Sequence, residues 1–295
     1  MVQLFNFAYF VPLIIIAVIT VFLVLFTRKK SQKFNYNLIF IILLVNAILH
    51  FLKIFIPTVD YFYDLPYSIA RISLENICAV SVVSFPILFL LKNKYAYDAI
   101  FYIGILSALA ALLMPTGAFN RELNNFTNII EVIRYYLCHT PLLICPILMI
   151  SNKIHHLSYR RMYVAGLAFM INVSIVFLNA LLLKGSGVIN CTWEQFFSRN
   201  YCNPGLVFGP NKMMYDAGMK YVSMLVPNFL KYTTSSGDLG YIPVLWYITP
   251  IFLIATIATL IGMIFDHKKV KKDYRYLCAK YRLIKIAHRM KHDKE

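Results

Sequence analysis

Seven stretches of mostly apolar residues, each about 20 long, recur along this chain at 8–26, 36–56, 72–91, 97–114, 129–150, 162–183 and 241–265. A helix of that length rises about 30 Å and matches the hydrocarbon core of a bilayer. Backbone groups in hydrocarbon find no water to bond, so such a run has to be helical there. The pattern predicts an all-α fold: a polytopic membrane bundle of seven transmembrane helices. Composition agrees. Only 14% of the 295 residues are charged and 60% are hydrophobic, whereas a soluble globular chain carries about 25% charge.

The net charge of +16 would suggest nucleic acid in a soluble protein. Here it is spread as a topology signal, and no nucleic-acid partner is implied. Arg28, Lys29, Lys30 and Lys33 follow the first stretch, Lys92 and Lys94 the third, and Lys153, Arg160 and Arg161 the fifth. Eleven Lys and Arg follow the seventh. The short links on the other side carry only Arg71 and Arg121. Basic loops stay inside, so the N-terminus is expected outside and the C-terminus in the cytoplasm. The first stretch is not expected to be a signal peptide, because the basic cluster follows it rather than precedes it.

Two domains result: a membrane domain, 1–265, which includes an outer segment, 184–240, and a basic tail, 266–295. In the tail, Tyr274, Leu277, Tyr281 and Ile284 recur at helical spacing. This suits an amphipathic helix on the anionic inner leaflet. In the outer segment, Met213, Met214, Tyr221, Met224, Leu225 and Phe229 form a loose apolar stripe, read as an interfacial helix. Cys191 and Cys202 are the two cysteines on that side and would pair if the compartment oxidises them.

Polar residues inside the apolar stretches are costly and need a reason. Arg71, Glu75 and Cys78 stand at i, i+4 and i+7, which puts them on one face of a continuous helix. Asn46, His50 and Lys53 repeat that spacing in the second stretch. Glu131, Arg134, Tyr135 and His139 follow in the fifth, with Cys138 beside them, and Asn172 and Asn179 in the sixth. At 1.5 Å per residue, Cys78 and His50 lie roughly 10 Å from the outer end of their helices and His139 roughly 15 Å. The stripes therefore converge in the outer half of the membrane. The inner halves are almost wholly apolar, which argues against a conduction path.

Each residue also has a plainer reading. Lys53 and Arg71 would snorkel to the interface. Glu75 would pair with Arg71 or Lys53, and Glu131 with Arg134. Cys138 and Cys145 would be small apolar fillers, and a membrane histidine would join two helices. Convergence favours function, since thiol and imidazole together suit nucleophilic catalysis. The alternative is a protein that binds or transports a small polar solute, with Cys78 only a packing residue. The lack of an inverted repeat weighs against transport.

Leu74-Glu75-Asn76-Ile77-Cys78, followed by Pro86-Ile87-Leu88, resembles the Cys-containing third span of the YwaF-like bacterial integral membrane proteins. The stretch from Tyr102 to Leu109 and Leu113-Met114-Pro115 resemble that family's fourth span, and Arg134-Tyr135-Tyr136-Leu137-Cys138-His139 its fifth. Asn172, Asn179 and Leu245-Trp246-Tyr247 also fit. Many relatives carry a histidine where this chain has Asn76. The resemblance implies a bacterial plasma-membrane protein related to animal transmembrane phospholipid acyltransferases. By motif, Cys78 and His139 are then the catalytic pair, acting on membrane lipid without cofactor or metal. Asn46, His50, Lys53, Arg71, Glu75, Asn76, Glu131, Arg134, Tyr135, Asn172, Asn179 and Trp246 would line the cavity.

Overall fold

A computed structural model describes residues 3, 5–55, 65–115, 125–201, 203–234 and 237–292. Its long helices are α1 (Phe7–Thr27), α2 (Gln32–Leu52), α3 (Leu65–Ile72), α4 (Ile77–Leu90), α5 (Lys94–Leu113), α6 (Phe126–Ser151), α7 (Tyr163–Gly185), α8 (Ile248–Phe265) and α9 (His267–His292). Among the described residues, six helical segments are long and apolar enough to cross a membrane; α4 is apolar but shorter. The polypeptide is a multi-pass helical membrane protein.

Local sequence explains where the helices begin. Asn6, Ser31, Asn76, Asn93 and Asn125 are N-caps whose side chains accept from backbone N–H groups in the first turn. These residues satisfy amides that a helix start leaves without partners.

The centre is built by α2, α4, α5 and α6. Ile39 and Leu43 of α2, Phe85 and Phe89 of α4, Ile100 and Ile103 of α5, and Leu142 and Leu148 of α6 share one buried core. Gly104 lets α5 and α6 meet closely, because a Cβ there would lie 2.7 Å from the Leu142 carbonyl oxygen and 2.9 Å from Pro146 Cγ. Small residues at helix contacts serve this purpose in membranes.

Two expectations are corrected. The third stretch is not one helix: α3 stops at Ile72 and α4 starts at Ile77. Asn76 is extended, with φ −154° and ψ 169°, and its side chain caps Ala79 N–H. Arg71, Glu75 and Cys78 therefore do not share a helical face. The seventh stretch also starts late. Tyr241 belongs to a short strand, Leu245–Tyr247 is a 3₁₀ turn, and the α-helix begins at Ile248. Pro243 has no N–H to donate, and Val244 turns the chain with φ 65°.

The segment 184–240 folds as a cap with its own core. Phe196, Phe208, Leu230, Tyr241 and Trp246 pack there against Val173 and Val176 of α7. The cap includes an antiparallel hairpin of β1 (Lys231–Thr233) and β2 (Leu239–Tyr241), with Tyr232 opposite Gly240, so the fold is nearly rather than wholly helical. Tyr221, Met224, Leu225 and Phe229 of the predicted interfacial stripe are exposed. Cys202 lies outside the described residues, and so does its pairing with Cys191.

The opposite end is knitted by polar contacts. The buried Asp98 carboxylate accepts from His155 Nε2 at 2.8 Å and from Arg161. Asn152 Nδ2 donates to Thr27 Oγ1 at 3.0 Å, and Asn35 Nδ2 to the Thr27 carbonyl at 3.1 Å. Helix α9 docks here too: Asp273 accepts from Arg160 Nη2 at 2.5 Å and from the Tyr159 hydroxyl.

Candidate intramembrane thiol–imidazole site

The interruption between α3 and α4 organises the site. Residues 73–76 lie outside any helix, so their backbone needs other partners. His50 Nε2 of α2 bonds the Ile72 carbonyl at 3.0 Å. Ser73 Oγ donates to the Ala70 carbonyl at 2.6 Å and accepts from Asn179 Nδ2 of α7 at 3.0 Å. Broken helices persist in membranes when neighbours satisfy the freed groups in this way. His50, Asn179 and Asn76 are thus accounted for as supports of the break. Cys78 falls in the first turn of α4, at a half-buried helix start.

On α6 the register brings Glu131, Tyr135, Cys138 and His139 towards that point. His139 Nδ1 lies 2.6 Å from the Tyr135 carbonyl oxygen and 3.3 Å from Cys138 Sγ. A carbonyl only accepts, so Nδ1 carries a hydrogen. In neutral imidazole Nε2 then holds the free lone pair. The Tyr135 ring lies against the His139 ring, centroids 4.4 Å apart, and its hydroxyl donates to the Ala111 carbonyl at 2.8 Å. Cys138 contacts this imidazole directly, and the Cys78 thiol lies in the neighbourhood of both His139 and Tyr135.

Charged groups surround this centre. Glu131 is buried and accepts from Arg134 Nη2 at 2.7 Å and from Arg134 Nε at 3.2 Å. Arg71 Nη2 lies 3.8 Å from the same carboxylate. Lys53, Arg71 and Arg134 all act on Glu75, and Lys53 is buried. Among the described residues, Lys53, Arg71 and Arg134 are the cations of this cluster and Glu75 and Glu131 its carboxylates. Asn46 Nδ2 donates to the Cys138 carbonyl at 3.1 Å, which ties α2 to α6. Its Oδ1 is buried without a partner among the described residues, a state that costs free energy unless something donates to it.

A family model described as the TMEM164 family matches residues 4–261. The chain belongs to the TMEM164 family. Neither the curated proteins nor the solved structures include a match. This TMEM164 family member brings together most of the residues anticipated for the site: Cys78, His139, Tyr135, Glu131, Arg134, Arg71, Glu75, Lys53 and Asn46. Two stand apart. Trp246 is fully buried in the cap, with Nε1 3.1 Å from the Leu206 and Val207 carbonyl oxygens. Asn172 Nδ2 donates to its own helix at the Ala168 carbonyl, 2.8 Å away. Cys138 was the residue undervalued as filler. Its adjacency to His139, and its place one turn after Tyr135, were the visible signal. Cys145 does behave as filler, wholly buried in the central core.

Proposed function

We propose that this protein transfers or hydrolyses acyl groups of membrane lipid, with Cys78 as nucleophile and His139 as general base. The observation that carries the reading is the tautomer of His139. The Tyr135 carbonyl occupies Nδ1–H, so Nε2 is available to take the proton of the neighbouring Cys78 thiol. The thiolate attacks the ester carbonyl carbon of a lipid, and the C–O bond to the glycerol oxygen breaks. His139 returns the proton to that oxygen, leaving a Cys78 thioester and a lysolipid. A hydroxyl of a second lipid, or water, then gives its proton to His139 and attacks the thioester. The thiol leaves and regains the proton. The guanidinium and ammonium groups of Arg71, Arg134 and Lys53 beside this centre suit a phosphate head group.

The YwaF-like relationship, the bacterial plasma membrane, seven spans with the N-terminus outside, and α9 on the anionic leaflet belong to the same proposal. So do its division into a membrane domain, 1–265, and a tail, 266–295. The basic end formed by Lys92, Lys94, Arg160, Arg161 and α9 supports the orientation. The alternative, a binder of a small polar solute, draws on the unpartnered Asn46 Oδ1.

The deciding experiment incubates purified protein with a lipid extract and measures the mass of the Cys78 peptide. An acyl adduct is expected, absent in Cys78→Ala and slower to form in His139→Ala. Acyl transfer that survives Cys78→Ala rejects the nucleophile. Solute binding with no adduct favours the alternative.

A further inference from the structure

A second lipid site lies at the other end of α4. Leu88 and Leu91 at the close of α4, Ala99 on α5, and Leu167 and Ile171 on α7 line an open, shallow groove of about 300 Å³. This is at the lower end of ligand-site volumes. Its lining is apolar, and Leu91, Leu167 and Ile171 are exposed on the flank of the bundle that faces hydrocarbon. Leu88 is ten residues from Cys78 along a helix, or about 15 Å, so the groove is separate from the thiol–imidazole centre.

The mouth of the groove is polar and cationic. Tyr95 lines it, and Lys94 Nζ stands 5.1 Å from the Tyr95 ring centroid. Tyr163 of α7 is a near neighbour of Tyr95 and of Arg161. The nearest acid along the helix, Asp98, is already engaged by His155 and Arg161. Lys94 has no carboxylate partner among the described residues. Neighbouring tyrosines and a lysine beside an apolar slot match the layering of an interface: hydrocarbon below, phosphate above.

We propose that this groove holds one acyl chain of an anionic glycerophospholipid, with its phosphate at Lys94. A solute would find few polar partners in the slot, and a zwitterionic lipid would gain less from the surplus positive charge. The site is independent of any chemistry at Cys78.

The test uses the full-length purified protein, equimolar dioleoyl phosphatidylglycerol and dioleoyl phosphatidylcholine, and native mass spectrometry to count retained lipids. Wild type should retain the glycerol lipid about fivefold over the choline lipid, the effect of one cation near a surface. Lys94→Gln should erase that preference and Lys94→Arg should keep it. Ala99→Phe, which fills the slot, should lower retention of both. Equal retention by wild type, a preference untouched by Lys94→Gln, or full retention by Ala99→Phe overturns the proposal. A phosphatidylglycerol with a photoreactive acyl chain gives a readout without any substitution. Its adducts should map to 88–99 and 164–171, and adducts confined to α9 would refute the groove.

Discussion

Replacing Glu131 by Ala removes the anion that holds the charged cluster together. The carboxylate is 3% exposed, and its two arginines, Arg134 and Arg71, are 20% and 26% exposed. Breaking a buried pair costs about 3–5 kcal/mol, mostly because a charge is left without compensation. Neither guanidinium group is fully buried, which reduces the cost to about 2–3 kcal/mol. At about 2–4 °C per kcal/mol for a chain of this size, the unfolding temperature should fall by about 4–12 °C. Thermal denaturation in detergent, followed by intrinsic fluorescence, measures it. Ile133→Ala, on the exposed side of the same helix, is the control and should barely shift. Adding Arg134→Met to Glu131→Ala should recover part of the loss, because it removes one uncompensated charge. If Glu131→Ala unfolds with the control, or if the double variant is no more stable than the single one, Glu131 does not neutralise the cluster.

Asn76→Ala should cost about 1 kcal/mol through loss of the α4 cap and should slow acyl-adduct formation at Cys78, whereas Asn76→Ser should preserve both. Gly104→Val forces side-chain atoms onto the Leu142 backbone; a loss of about 1–3 kcal/mol is expected, seen as lower folded yield on size exclusion, and unchanged yield would contradict the close α5–α6 contact. Arg160 and Tyr159 bond Asp273 and hold its carboxyl below the usual carboxylate range. Docking of α9 through Asp273 is then complete above the ordinary carboxylate value of about 3.9 and lost as pH falls through the lowered one. The protection factors of the α9 amides, exchange corrected for its intrinsic pH dependence, should be equal at pH 7 and pH 5, and Asp273→Asn should lower them at both; protection that falls from pH 7 to pH 5 would contradict this.

Much of this was readable in the residues because hydrocarbon leaves few choices. Long apolar runs had to be helices, and the inward faces of α2 and α6 followed from Asn46, His50 and Lys53, and from Glu131 and His139, at helical spacing. The third stretch misled because periodicity weighs side chains and not backbone partners. Asn76 and Ser73 favour caps and turns, yet inside a hydrophobic run their effect depends on His50 and Asn179, which arrive from other helices. Trp246 misled for a related reason: an aromatic near a predicted helix start can face the membrane or a cap, and only the folded segment 184–240 distinguishes them. Cys138 is next to His139 in the chain, but the arrival of Cys78 from another helix is a tertiary fact that no spacing along the chain encodes.

The shortness of α4 has a consequence for biogenesis. Its 14 residues rise about 21 Å, less than the hydrocarbon thickness of about 30 Å. A nascent segment of that length, led by Arg71 and Glu75, is a poor substrate for independent partition from the translocon into lipid. Half of its residues, from Ala79 to Phe89, end up buried against other helices rather than facing acyl chains. Its entry into the bilayer therefore has to be shared with α2, α5 and α6, which cover it, and with α7, which together with α2 supports the broken backbone, so this protein inserts α4 as part of a group and not one span at a time.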